Sequence, residues 1–255
     1  MSDTMTSGFA RHSTRVSASL RWLAGAALPP DTDGAPTLAN RLAVFPLLFV
    51  PWLLLYEYVV ALGPPRGAFE TYLPGEINWP IVQWTELLYV SPYVLVAIAP
   101  LFATSNKALR RFLIAAAMAA IFIFTCFLTI PAIATPRPFF PQGLLGQMMM
   151  NDRMLDRNNG TAAFPSFHVV WAFLGATLWA HRMPRWRNVW LLWAACVSLS
   201  CVTTGMHSLL DIITGFLVFL VTYNFASIRQ QLFRRKAVLV PVEPPPAAPD
   251  VWEQS

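Results

Sequence analysis

Long apolar runs, separated by short basic, polar or proline-rich segments, dominate this chain. A helix that crosses a membrane needs about 20 mostly apolar residues. Six runs reach or approach that length, at 42–62, 82–102, 112–133, 167–180, 189–202 and 209–226. The fourth and fifth are short and reach full length only by drawing in polar flanks, which puts polar side chains at the membrane boundary. The pattern predicts an all-α, six-transmembrane-helix bundle.

Composition agrees: of 255 residues, 56% are hydrophobic and only 12% charged, outside the usual range of a water-soluble domain. The net charge of +5 could suggest nucleic acid as a partner, but the basic residues lie in short clusters between apolar runs, where control of topology explains them. With the N-terminus inside, the inner loops and ends hold fourteen of the 18 Lys and Arg residues, leaving Arg66, Arg137, Arg153 and Arg157 outside. Both termini are then expected in the cytoplasm, with no nucleic-acid partner. Three parts follow: a leader at 1–40 with a short apolar patch at 22–28 that can lie on the membrane, a membrane domain at 41–228, and a basic then proline-rich disordered tail at 229–255. Cys126, Cys196 and Cys201 lie in apolar runs without metal-ligand spacing, so neither a disulfide framework nor a metal centre is expected. A lone Asn159-Gly-Thr161 sequon decides nothing about the compartment.

This topology carries four separated polar residues to one face. Arg137 follows the third run, His168 opens the fourth, and His207 and Asp211 flank the start of the sixth. In "TGMHSLLDIITG" the last two are four residues apart, one above the other on a helix. A carboxylate there would fix the imidazole tautomer and leave the other nitrogen as a nucleophile. Ser208-Leu-Leu-Asp211 also fits a helix-capping box, so both readings stand. His168 follows Pro165 and Ser166 at a helix start, where free amides favour an anion; it suits a general acid and base, or an interfacial histidine. Arg137 suits a phosphate fork or an interfacial anchor. Glu57 and Glu86 lie in the outer parts of apolar runs, where they would bind head-group hydroxyls, pair with Arg137, or reach to the surface. The connection 134–166, with its apolar patch at 144–150, reads equally as a lid or as an interfacial helix.

"TPRPFF", "FPSFH" and "HSLLD" fall in the order of three motifs, Lys-x6-Arg-Pro, Pro-Ser-Gly-His and Ser-Arg-x5-His-x3-Asp. On these the chain resembles the type 2 phosphatidic acid phosphatase superfamily from about 112 to 225. The resemblance implies a six-helix membrane enzyme with its site at the outer boundary. It further implies His207 as nucleophile, Asp211 as its partner, His168 as general acid and base, and Arg137 and Ser166 as phosphate contacts. Three positions depart from the motifs: Ile130 stands where the lysine would be, Phe167 where the glycine would be, and Cys201 where the second arginine would be. Two cations suited to a doubly charged phosphate monoester are thus missing. The pattern is similar to the branch of inositol phosphorylceramide and sphingomyelin synthases, which move a phosphorylated head group from a phospholipid to a lipid alcohol.

The expected function is therefore metal-independent and cofactor-free lipid phosphotransfer through a phosphohistidine, on the periplasmic side of a bacterial inner membrane. Hydrolysis of phosphatidic acid or an isoprenoid phosphate is the alternative. A transporter or scaffold is a third reading, disfavoured because transport sites lie near the bilayer midplane whereas these residues gather at one boundary.

Overall fold

The computed structural model describes residues 29–157 and 160–238. The expected leader patch at 22–28, Asn159 of the sequon and the proline-rich end of the tail lie outside the described residues. Seven main helices follow one another: α1 (Leu38–Leu62), α2 (Gln83–Phe102), α3 (Asn106–Thr129), α4 (Gly143–Asp156), α5 (Phe167–Arg182), α6 (Arg187–Thr203) and α7 (Leu209–Val238). Among the described residues the only sheet is a two-residue parallel bridge, β1 (Phe69–Glu70) against β2 (Ala132–Ile133). It ties the loop after α1 to the end of α3.

Helix limits follow local signals. α1 starts four residues before the predicted run because Thr37 and Asn40 form a reciprocal capping box. α3 starts where Ser105 Oγ accepts from the Ala108 amide, and it ends just before Pro131, whose ring disfavours helix in the residue ahead of it. α7 continues to Val238, so the basic stretch expected to open a disordered tail is helical as far as that residue.

Among the described residues, four helices are long and apolar enough to cross a membrane: Leu38–Leu62, Gln83–Phe102, Asn106–Thr129 and Leu209–Ile228. α5 and α6, with 16 and 17 residues, are shorter. Outward-facing Leu54, Ile121, Leu199 and Val221 are all more than 60% exposed, a surface costly in water and ordinary in lipid. These features are those of a membrane protein.

α5 is the centre of the bundle, packed by α2, α3, α6 and α7. Because lipid is as apolar as the helices, close contact between small residues has to hold such a bundle together. α3 supplies Ala115, Ala116, Ala119 and Ala120 on its buried face, and α5 supplies Ala172, Gly175 and Ala176. The Val50–Leu62 half of α1 packs on α3 and lies across from α2. Between them lies a cavity of about 410 Å³. The predicted long connection contains α4, whose Asp152 and Leu155 reach the wall of that cavity.

Candidate active site

The site begins with the turn from α6 to α7. Gly205 has φ 74°, a conformation open chiefly to glycine, and the amides of Met206 and His207 both donate to the Cys201 carbonyl. This closes α6 sharply and delivers His207 to the start of α7. There Ser208 and Asp211 cap each other: the Asp211 amide donates to Ser208 Oγ at 3.2 Å, and the Ser208 amide to Asp211 Oδ2 at 2.9 Å. The same Oδ2 lies 3.4 Å from His207 Nδ1. Capping box and His–Asp pair are thus one structure, in which the cap fixes the carboxylate against the imidazole.

Loop residues complete this turn. Ser208 Oγ donates to Thr71 Oγ1 at 2.8 Å, and Glu76 accepts from the Leu209 amide at 2.7 Å and the Leu73 amide at 2.9 Å. Glu76 and Thr71 have no motif around them. Only the fold brings them to the start of α7.

α5 arrives at the same place. The Ser166 amide donates to the Asp211 carbonyl at 3.1 Å, and Ser166 Oγ lies 3.5 Å from His207 Nε2. Gly215 on α7 makes the approach possible, since a Cβ there would sit 2.7 Å from the Ser166 carbonyl oxygen. In the first turn of α5, the His168 ring stacks on Tyr89 at 4.2 Å and meets Tyr93 edge-on at 5.5 Å. Its Nε2 is buried without a hydrogen-bond partner. The centroids of the His168 and His207 rings are 5.7 Å apart. The two imidazoles therefore meet edge to face and present their ring nitrogens to one common pocket.

Arg137 is placed differently from a free phosphate fork. It is 2% exposed, and its Nη1 donates to the carbonyls of Glu76 and Trp79 at 3.2 and 2.7 Å while Nη2 donates to that of Val202. Burial draws its guanidinium below the ordinary arginine range, opposed by Tyr72 and Glu76. Arg153 likewise donates to the carbonyls of Arg137 and Thr204. Tyr72, whose hydroxyl is pushed up by burial and so keeps its proton, donates to Thr135 O at 2.9 Å. These side chains knit the loops over the site. Of the expected cation positions, Ile130 caps the end of α3, and Cys201 is fully buried with Sγ on the Val197 carbonyl at 3.3 Å.

Both histidines line the 410 Å³ cavity, whose wall is otherwise largely aromatic and aliphatic, including Trp52, Tyr56, Tyr93 and Trp171. Glu57 lies on that wall. Glu86 is 1% exposed and meets Asp152 of α4 side chain to side chain, with Arg153 acting on it electrostatically. Nothing in the sequence couples Asp152 to Glu86, because it lies 66 residues further along the chain. Tyr89 and Tyr93 carry a faint signal, falling one and two turns after Glu86 on one helix face. Among the described residues no group of three or more His, Cys, Asp and Glu side chains could hold a metal ion.

Comparison with known proteins fits this arrangement. Searches of curated proteins and of solved structures give no match. A family profile, described as PAP2 superfamily, matches residues 77–225, more than half of the 255-residue chain and a span that includes α2 to α6 and the start of α7, with both site histidines and Asp211. On that match, the chain belongs to the PAP2 superfamily.

Proposed function

We propose that this protein is a membrane lipid phosphotransferase that moves a phosphorylated head group from a phospholipid to a lipid alcohol. Superfamily membership supports phosphatase or phosphotransferase chemistry in general. The observation that carries the catalytic reading is the pair of imidazoles 5.7 Å apart, one backed by Asp211 and the other with an unpartnered Nε2.

In the first half-reaction His207 Nε2 attacks phosphorus, and the bond from phosphorus to the diacylglycerol oxygen breaks. His168, protonated at Nε2, gives its proton to that departing oxygen. Asp211 accepts from His207 Nδ1–H and stabilises the positive charge that develops on the ring. The intermediate carries the head-group phosphate on His207. In the second half-reaction His168 takes the proton of the incoming alcohol, whose oxygen attacks phosphorus, and His207 leaves. Ser166 Oγ and the free amides at the start of α5 bind phosphoryl oxygens, as a helix N-terminus can. Arg137 acts by holding the loops.

Transfer is favoured over hydrolysis because the site is poor in cations. Ile130 and Cys201 replace two, and the Nη groups of Arg137 are engaged by carbonyls. A phosphodiester with one negative charge suits this site better than a doubly charged monoester. Glu86, Asp152 and Glu57 suit hydroxyl groups of the head group or acceptor, since carboxylates are strong acceptors. On this reading the chain stands nearest the inositol phosphorylceramide and sphingomyelin synthase-like members. We take α5 and α6 to cross the membrane as well, giving six spans with both termini cytoplasmic and the histidines at the periplasmic face of a bacterial inner membrane.

Purified protein in mixed micelles tests the reaction, with fluorescent phosphatidic acid, phosphatidylinositol and ceramide supplied singly and in pairs. A new phospholipid formed only with a lipid alcohol present, and absent with His207→Ala, is the expected result. Phosphate released from phosphatidic acid without any acceptor would instead identify a phosphatase.

A further inference from the structure

At the end of the bundle opposite the histidines, a second cavity of about 580 Å³ opens between α3, α5, α6 and α7. His181 on its wall is thirteen residues after His168 on the same helix, so about 20 Å of helix rise separates the two sites. Three basic side chains from three helices line this cavity: Arg111 of α3, His181 of α5 and Arg187 of α6. Lys107, one turn before Arg111, adds its charge at His181. No acidic side chain is among the described residues that line the cavity, and Leu191, Phe219 and Leu220 form an apolar part of the wall.

Topology control alone does not require such a cavity. It needs only that basic side chains be kept on one side of the membrane. Arg111 instead lies inside α3, six residues past the Ser105 cap, with its guanidinium 3.6 Å from the Tyr223 ring centroid and Nε donating to the Tyr223 carbonyl at 3.4 Å. Its Nη groups make no hydrogen bond within the described residues, and the ring and carbonyl hold the side chain in one orientation. A fixed fork over an apolar wall, with two further basic groups beside it, matches a lipid phosphate at the interface and the glycerol and acyl methylenes beneath it.

We propose that this cavity binds the head group of an anionic phospholipid from the leaflet opposite the catalytic site. The site is separate from the phosphotransfer centre and does not depend on its assignment. A zwitterionic lipid carries the same phosphate, but its ammonium group meets the positive charges of Arg111, Arg187 and the nearby Lys107 unfavourably. Net charge therefore sets the selectivity.

The test is thermal unfolding of the full-length protein in neutral detergent, titrated separately with phosphatidylglycerol, phosphatidylcholine and inorganic phosphate. Ligand that binds only the folded state raises the unfolding midpoint as its concentration rises. The expected result is a saturable rise with phosphatidylglycerol and a much smaller one with phosphatidylcholine. It should fall by half or more in Arg187→Gln and in Arg111→Lys, and vanish in the double variant. Arg187 is exposed and makes no hydrogen bond within the described residues, so Arg187→Gln keeps the test valid even where Arg111→Lys disturbs the contact with Tyr223. Equal rises with both lipids, or an undiminished rise in Arg187→Gln, would overturn the proposal. A full rise with inorganic phosphate alone would also overturn it, by showing a small-anion site.

Discussion

Asp211 illustrates how one side chain serves two ends at the residue scale. Its Oδ2 caps α7 through the Ser208 amide and lies against His207 Nδ1. Asp211→Asn separates these roles, because an amide oxygen still caps the helix but the negative charge is lost. The unfolding midpoint should move little while turnover falls by up to about 10⁴-fold, the loss seen when the aspartate that orients a catalytic histidine becomes asparagine. Parallel thermal unfolding and initial-rate measurements check this. A matching loss of stability and activity would assign Asp211 to the cap alone.

His168 has a separate signature. If it protonates the departing oxygen, its removal matters most when the leaving group is a poor one. His168→Gln should therefore slow cleavage of a diacylglycerol phosphodiester by about 10²–10⁴-fold, yet leave cleavage of a nitrophenyl phosphodiester much nearer wild type. Rates of the two substrates with each protein give the comparison. An equal loss on both would remove the acid role.

At the scale of elements, the site exists because the start of α5 lies on α7 and the turn before α7 is tight. Gly215 is the contact that permits the first of these. Gly215→Ala places a Cβ 2.7 Å from the Ser166 carbonyl, and backbone cannot yield as a flexible side chain does. We expect a loss of about 1–3 kcal/mol in stability, as for overpacking elsewhere, with lower turnover because Ser166 and His168 shift together. Equilibrium unfolding and kinetics of the variant check both.

The elements also show what a sequence can carry. The His207-to-Asp211 spacing and the Ser208 box are local, so both are legible in the order of residues alone, as is the helix start at Ser166. Four of the six apolar runs form helices of spanning length because apolar content over about 20 residues is itself the signal. Arg137 is visible as a residue, but its partners are the carbonyls of Glu76, Trp79 and Val202. A carbonyl has no sequence signature, so its engagement by them is not legible. The contacts of Glu76 with Leu209 and of Glu86 with Asp152 join distant segments with no periodicity to announce them.

Across the whole molecule, two polar ends stand about 20 Å apart along α5, one with the histidines and one with Arg111 and Arg187. The proposed six-span arrangement sets them on opposite faces of the membrane. With a membrane-impermeant thiol reagent on intact cells, Arg66→Cys should label directly, and Arg185→Cys only after permeabilisation. The reverse pattern would invert the topology and move the site to the cytoplasmic face. At this scale the aromatic cavity also matters: it runs beside the two histidines between α1 and α2, and on the proposed reading its apolar wall takes the chain of a lipid whose phosphate meets the two rings.

The central claim is covalent catalysis by His207, and trapping the intermediate tests it most directly. The protein would be mixed with a phospholipid radiolabelled in its head-group phosphate, without an acceptor. It would then be denatured in alkali, which preserves phosphoramidate bonds, and digested for peptide mapping. The account predicts label on the peptide containing His207, none in His207→Ala, and discharge of the label when a lipid alcohol is added before denaturation. Turnover with no protein-bound label, or label on His168 instead, would contradict it.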